Sequence, residues 1–204
     1  MTGKLEGFQS ISTNTSTNEY CKKQNTKNDP DNICTHCYSW TMLKTFRKNM
    51  APALERNSIL LNSKILHPDA LPVINQAFFR FNSHGELALD KKKATINLIN
   101  YINIAIKNPH CNFALWTKRF DIIKPYFDKN KKPKNFILVY SNPKINHIFK
   151  KPPKHFDRTF NNVYEDIEVD KQNCTGQKCK DCLLCYKLDT TDTIVEKVKS
   201  YGKK

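Results

Sequence analysis

The chain has 204 residues, 39% of them hydrophobic, enough for a single domain, 1–204, with a core of several strands and helices. No apolar run approaches the length of a bilayer-spanning helix, so no membrane partner is expected. The formal charge of +15 suits nucleic acid or another polyanion. Lysine, asparagine and isoleucine are nonetheless abundant throughout, and the runs Lys91–Lys93, Lys129–Lys134 and Lys150–Lys154 fall where loops or solvated helix ends are expected. No Ser-His-Asp order, phosphate-binding Walker loop or paired-carboxylate pattern is present, so hydrolase and NTPase readings have no residues to rest on.

Residues 1–33 read as an irregular segment rich in Ser, Thr, Asn and Asp, with a short strand within Ser10–Thr17 and a turn at Asp29-Pro30-Asp31. The polar stretch Met1–Asn18 has no signal-peptide core. A reducing compartment is therefore expected, where the eight cysteines serve as metal ligands rather than disulfides. The core is expected over 34–142. Trp40, Leu43, Phe46 and Met50 recur at helical spacing from Tyr38, and Pro52 opens a second helix running to about Leu66. Ala77–Phe81 is an aromatic strand ended by Asn82-Ser83-His84-Gly85. Asp90 caps a long helix to about Asn108, with Ala94, Leu98, Ile99, Ile102, Ala105 and Ile106 as its buried stripe.

Asn112–Thr117 is a second strand, Arg119–Asp128 a short helix, and Asn135–Ser141 a continuous buried strand. Alternating strands and helices of these lengths predict an α/β fold, either a small partial (β/α) barrel or an open parallel sheet, with cysteine-rich loops near both ends. Residues 143–204 read as a Lys/Pro-rich loop, a cysteine-rich segment and a terminal helix over Thr191–Tyr201.

Cys174, Cys179, Cys182 and Cys185 form the pattern C-x4-C-x2-C-x2-C. Thiolates are soft ligands for zinc, copper(I) or iron–sulfur clusters, and closely spaced runs are characteristic of cubane clusters. Near the other end, Cys21, Cys34 and Cys37 supply three thiols, the number that leaves one iron of a cubane open. Zinc is the alternative, completed there by His36 or a remote residue. Cys111 stands alone and reads as a plain buried thiol, and the six histidines show no metal spacing.

Ile33-Cys34-Thr35-His36-Cys37-Tyr38-Ser39, followed by Ala53-Leu54-Glu55-Arg56, resembles the phage gene-product-88 family. So do Phe79–Leu87, Trp116-Thr117-Lys118 and the closing cysteines before Tyr186, in the same order over about residues 10–187. Asn82 replaces the family's usual histidine, His84 looks inserted, and Glu86 stands where aspartate is common. At greater distance the pattern is similar to radical S-adenosylmethionine enzymes, although their C-x3-C-x2-C is stretched here to C-x12-C-x2-C.

That resemblance implies an open-site [4Fe-4S] cluster on Cys21, Cys34 and Cys37, with Tyr38 as the aromatic beside it. It also implies an auxiliary cluster on Cys174, Cys179, Cys182 and Cys185, and S-adenosylmethionine cleaved by one electron from a donor. His84-Gly85-Glu86 falls where such enzymes receive the methionine amino group. Glu86 reads equally as a residue of a helix's first turn. Arg80, a charge inside an aromatic strand, needs a partner: a cofactor or substrate carboxylate, or Glu55 or Glu86. Lys118 and Ser141, at strand ends, point toward the same mouth or are loop residues.

Two readings follow from these residues. One is an iron–sulfur phage enzyme of radical S-adenosylmethionine type in the cytoplasm of the infected host cell. The other is a non-enzymatic protein, stabilised by one cluster or by zinc, that binds nucleic acid or a host protein.

Overall fold

The computed structural model describes residues 3–188 and 191–198. Six strands carry the architecture: β1 (Ser10–Ile11), β2 (Phe78–Phe81), β3 (Asn112–Thr117), β4 (Phe136–Ser141), β5 (Arg158–Tyr164) and β6 (Thr193–Val198). They form one open sheet in chain order, every neighbouring pair parallel. Parallel neighbours require crossovers. The first carries α1 (Glu19–Asn25), α2 (Tyr38–Lys44) and α3 (Ala51–Ser63); the next two carry α4 (Lys91–Lys107) and α5 (Phe120–Phe127). β4 and β5 are joined without a helix, and the link to β6 holds the C-terminal cysteines and α6 (Cys179–Cys182). No helix among the described residues is long and apolar enough to cross a membrane.

Both faces of the central strands are covered, which explains their continuous apolar character. Side chains alternate between faces. Phe79 and Phe81, Phe113 and Leu115, and Phe136 and Leu138 enter a core with Leu98 and Tyr101 of α4 and Ile123 of α5. Phe81 stacks on Tyr101 and Phe113, with centroids 4.2 and 5.2 Å away. Ala114, Trp116, Ile137 and Val139 face the other way, where Phe8 and Tyr186 cover them. Helices therefore pack one face, and the chain's two ends pack the other.

The long helix α4 starts as its capping residue dictates, with the Asp90 carboxylate accepting from the Lys93 N–H at 2.8 Å. Its buried face also carries asparagines. Asn100 accepts from the Leu66 N–H and donates to the carbonyls of Leu61 and Lys64, clamping the chain that leads into β2.

Three segments depart from the sequence expectation. The N-terminal segment is not wholly irregular: Asn18 caps α1, its side chain accepting from the amides of Tyr20 and Cys21. The stretch expected to be loop after Pro143 contains β5. The terminal helix expected over Thr191–Tyr201 is instead strand β6 over Thr193–Val198, paired along its length with β5; positions 199–201 lie outside the described residues. Ile194 and Val198 have helical spacing, but Thr193, Ile194, Val195 and Val198 are β-branched, and the free edge of β5 takes them up.

Candidate metal centre

The loops at the carboxyl ends of β1 and β2 are locked together by small polar side chains. The hydroxyls of Ser12 and Ser83 lie 2.7 Å apart. Thr15 accepts from the Gly85 N–H at 2.9 Å, and Ser39 bridges Thr15 to the Nδ1 of His84. Burial, reinforced by the nearby cations Arg47 and Arg80, pushes His84 down to about 4, so its ring is neutral at neutral pH. Gly85 has φ +77°, and a Cβ there would lie 2.1 Å from Thr13 Oγ1 and 2.5 Å from the Thr13 carbonyl oxygen. Only glycine lets the two loops approach this closely.

Glu86 is buried in the same junction. Its carboxylate accepts from the Thr117 hydroxyl at 2.6 Å, the Lys118 N–H at 2.8 Å and the Leu87 N–H at 2.9 Å. Its carbonyl accepts from Thr13 and Asn18.

The three N-terminal cysteines are presented above this junction. Cys21 lies in the first turn of α1, and Cys37 is the residue that starts α2. The Cys34 N–H donates to Asn32 Oδ1 at 2.9 Å, and Asn25 of α1 holds the Cys34 carbonyl at 2.7 Å. Burial pushes the thiols of Cys21 and Cys34 up. Both also feel Glu86 and Cys37 as acidic neighbours, and Cys21 feels Cys34 as well, with Lys118 opposing them. Burial acts to lower Lys118, but Cys34, Glu86, Cys37 and Cys21 outweigh it and the ammonium sits above its ordinary value. Its Nζ donates to Ser141 Oγ at 3.0 Å, which ties the ends of β3 and β4. Tyr38 donates its hydroxyl to the Ser83 carbonyl.

The C-terminal cysteines lie against the sheet face that the helices leave open. Cys174 bridges to Glu196 of β6, α6 spans Cys179–Cys182, and Leu183 turns the chain through a left-handed conformation at φ 55°. Tyr186 then anchors the segment against Phe8, at 4.6 Å between centroids, and Trp116, at 5.7 Å. Gln177 Nε2 lies 3.3 Å from Cys182 Sγ, and Lys4 Nζ, ion-paired with Glu196, lies 4.0 Å from Cys174 Sγ. Burial pushes Cys174, Cys179 and Cys185 up.

A cavity of about 450 Å³ lies between the two groups. Cys34 and Cys37 line it on one side, and Cys174, Cys179, Cys182 and Cys185 on the other. Tyr38, Arg80, Lys118 and Ser141 are also part of its wall, as is His36. Six of the seven expected ligands thus reach one space; Cys21 belongs to the N-terminal set without lining it. Gly85 and Glu86, expected to receive a cofactor amine, do not line it either, and their contacts are those of the loop junction. His36 is held by the Pro30 carbonyl. Cys111 is buried in the helix-covered core, its thiol pushed up to about 12 by burial, as a plain buried cysteine requires.

The donors are of the soft type that zinc and iron–sulfur clusters take. All seven cysteines are free thiols of intermediate exposure. Among the described residues, no three His, Cys, Asp or Glu side chains are gathered closely enough for a single metal ion.

Lys4, Gln177 and Glu196 escaped the sequence reading of the site; they meet it through the packing of the N- and C-terminal segments.

No curated protein and no solved structure gives a significant match to the chain. A family model described as gene product 88 matches residues 7–188, a span that contains every cysteine, both sets of site loops and five of the six strands, and the chain belongs to the gene product 88 family.

Proposed function

We propose that this gene product 88 protein is a phage-type iron–sulfur protein of the infected host cell's cytoplasm, with two metal sets facing one cavity. Cys21, Cys34 and Cys37 would hold a cluster with one open position. Cys174, Cys179, Cys182 and Cys185 would hold a fully ligated one. The observation that carries the reading is the convergence of both cysteine groups, all free thiols, on one cavity at the carboxyl ends of a parallel sheet, where such folds place their chemistry. An open-site cluster supplies a position at which a small molecule binds and receives an electron, and S-adenosylmethionine is the occupant that the radical-enzyme resemblance implies.

The chain's own residues support such a role. Lys118 and Arg80 place positive charge beside the thiols, and Trp116 and Tyr38 provide apolar wall. Lys118 and Ser141, bonded to each other, are polar groups of the wall. Glu86 is already occupied by three donors, so an amino group in the cavity would be received elsewhere. The reading also calls for an electron donor as partner.

The test is iron, sulfide and zinc content of protein purified without oxygen, with electron resonance spectra before and after S-adenosylmethionine. About eight irons per chain and a spectrum changed by the cofactor support the enzyme reading. About four irons without a response leave a single-cluster protein, and zinc alone overturns the cluster reading.

A second reading rests on a separate observation. The lysine-rich loops that precede β4 and β5 meet at the amino ends of these strands and are tied together there, Lys132 to Asp157 and Lys154 to Asp128. Lys129, Lys131, Lys134, Lys150 and Lys151 are exposed on these loops. Nucleic acid bound at these loops would show an affinity falling steeply with salt.

A further inference from the structure

Among the described residues, Arg80 is a cation without a carboxylate partner. It leaves β2 on the face opposite α4, and its guanidinium lies 4.0 Å from the centroid of the Trp116 ring. It lines the cavity, and its Nε is buried with no hydrogen-bond partner among the described residues. The partners expected for it, Glu55 and Glu86, are engaged elsewhere: Glu55 holds Asn14 and Thr17, and Glu86 the β3 end. Among the described residues the cavity wall has one carboxylate, Glu196, and Lys4 holds it. A buried cation left uncompensated is costly.

The groups whose charge bears on Arg80 are Tyr186, Tyr38, Cys185 and Cys179. Burial pushes the Tyr186 phenol up, so it stays neutral. That leaves Cys179 and Cys185, whose sulfurs would carry negative charge beside Arg80 once they ligate a metal. Cys179 and Cys185 pack against the same cluster of Trp116 and Tyr186 on which Arg80 lies.

We infer that Arg80 is the built-in counter-charge of the C-terminal cysteine set and raises the reduction potential of the metal cluster those cysteines hold. The inference rests on the iron–sulfur reading of this site. A fixed positive charge favours the more negative, reduced state of a neighbouring thiolate-bound centre. Stacking on Trp116 holds the guanidinium in place, so the effect does not depend on a mobile side chain. Lys4, closest to Cys174, is already neutralised by Glu196 and contributes less. Arg80 is thus a positioning and tuning residue and is not itself a ligand.

The test is a redox titration, followed by electron resonance, of the full chain purified without oxygen. A Cys34→Ser background confines the signal to the C-terminal set. Arg80→Gln is expected to keep its iron and lose at least about tenfold in the ratio of reduced to oxidised centre at a given potential, a shift of about 59 mV for one electron. Arg80→Lys is expected to retain most of the wild-type potential, and Lys4→Gln to leave it in place. If Arg80→Gln fails to fold, Arg80→Met, which keeps the apolar contact with Trp116, takes its place. Full iron content with an unmoved potential overturns the inference and leaves the iron–sulfur reading standing. Absence of iron from the wild-type chain overturns both.

Discussion

Glu86, at the turn after β2, accepts the Thr117 hydroxyl at the end of β3 at 2.6 Å. With the Lys118 and Leu87 amides it completes three hydrogen bonds to one buried carboxylate, so the residue fastens two strand ends beneath the cysteine loops. Glu86→Ala would leave two amides and a hydroxyl buried without an acceptor, at a cost of about 4 kcal/mol. Glu86→Gln, which keeps one acceptor oxygen, should cost less. Urea denaturation of the two variants measures the difference. Unchanged stability together with lost affinity for S-adenosylmethionine would instead make Glu86 a cofactor residue.

Gly85 meets Thr13 where no side chain fits. Gly85→Ala would combine a left-handed backbone with a Cβ driven against the Thr13 carbonyl, which cannot swing aside as a flexible side chain would. A loss of about 3 kcal/mol or more is expected. The midpoint of thermal unfolding reads it, and a variant as stable as wild type would contradict the packing described for this junction.

His84 predicts an acid-sensitive junction. Its folded value of about 4 lies below the ordinary 6.5 because burial, then Arg47 and Arg80, disfavour the imidazolium. Between these values the unfolded chain takes up a proton that the folded chain refuses, so stability falls as pH is lowered through this window. From pH 7 to pH 5 the loss is about 2 kcal/mol. His84→Asn, which preserves an acceptor for Ser39, should flatten that slope in urea titrations at the two pH values. An equal slope in both proteins would remove His84 as its source.

The parts of the fold that were legible are those whose signal is local. β3 and β4 are apolar on both faces, β2 is a run of aromatics, and α4 begins at an aspartate cap and ends near Asn108-Pro109. β5 was hidden because it reads Arg-Thr-Phe-Asn-Asn-Val-Tyr. Its Asn161 is buried only because the amide can bond the Phe149 N–H and carbonyl, Asn142 and the Ile194 carbonyl, partners brought by tertiary structure. β6 shares its apolar spacing with a helix, and the open edge of β5 decides between them. α1 is a single capped unit of seven residues with no buried side chain to leave a periodic signature.

The cysteine sets were legible as motifs, since their spacing is a local property. Their common cavity was not, because β1 and β6 lie at opposite edges of the sheet, and the groups meet only where the Cys34 loop packs on the end of β4 and the C-terminal segment folds back over the open face. Arg80 stood out as a charge in an aromatic strand, but its setting on Trp116 beside Cys179 and Cys185 depends on how the C-terminal segment folds back over the sheet.

Two separate metal sets on one cavity is the central claim, and the iron content of group-specific variants tests it most directly. Protein purified without oxygen as Cys34→Ser/Cys37→Ser, and separately as Cys182→Ser/Cys185→Ser, should each retain about half of the roughly eight irons expected for the wild-type chain. Loss of all iron in either variant would contradict the account, because it would mean that the two cysteine groups together hold a single centre.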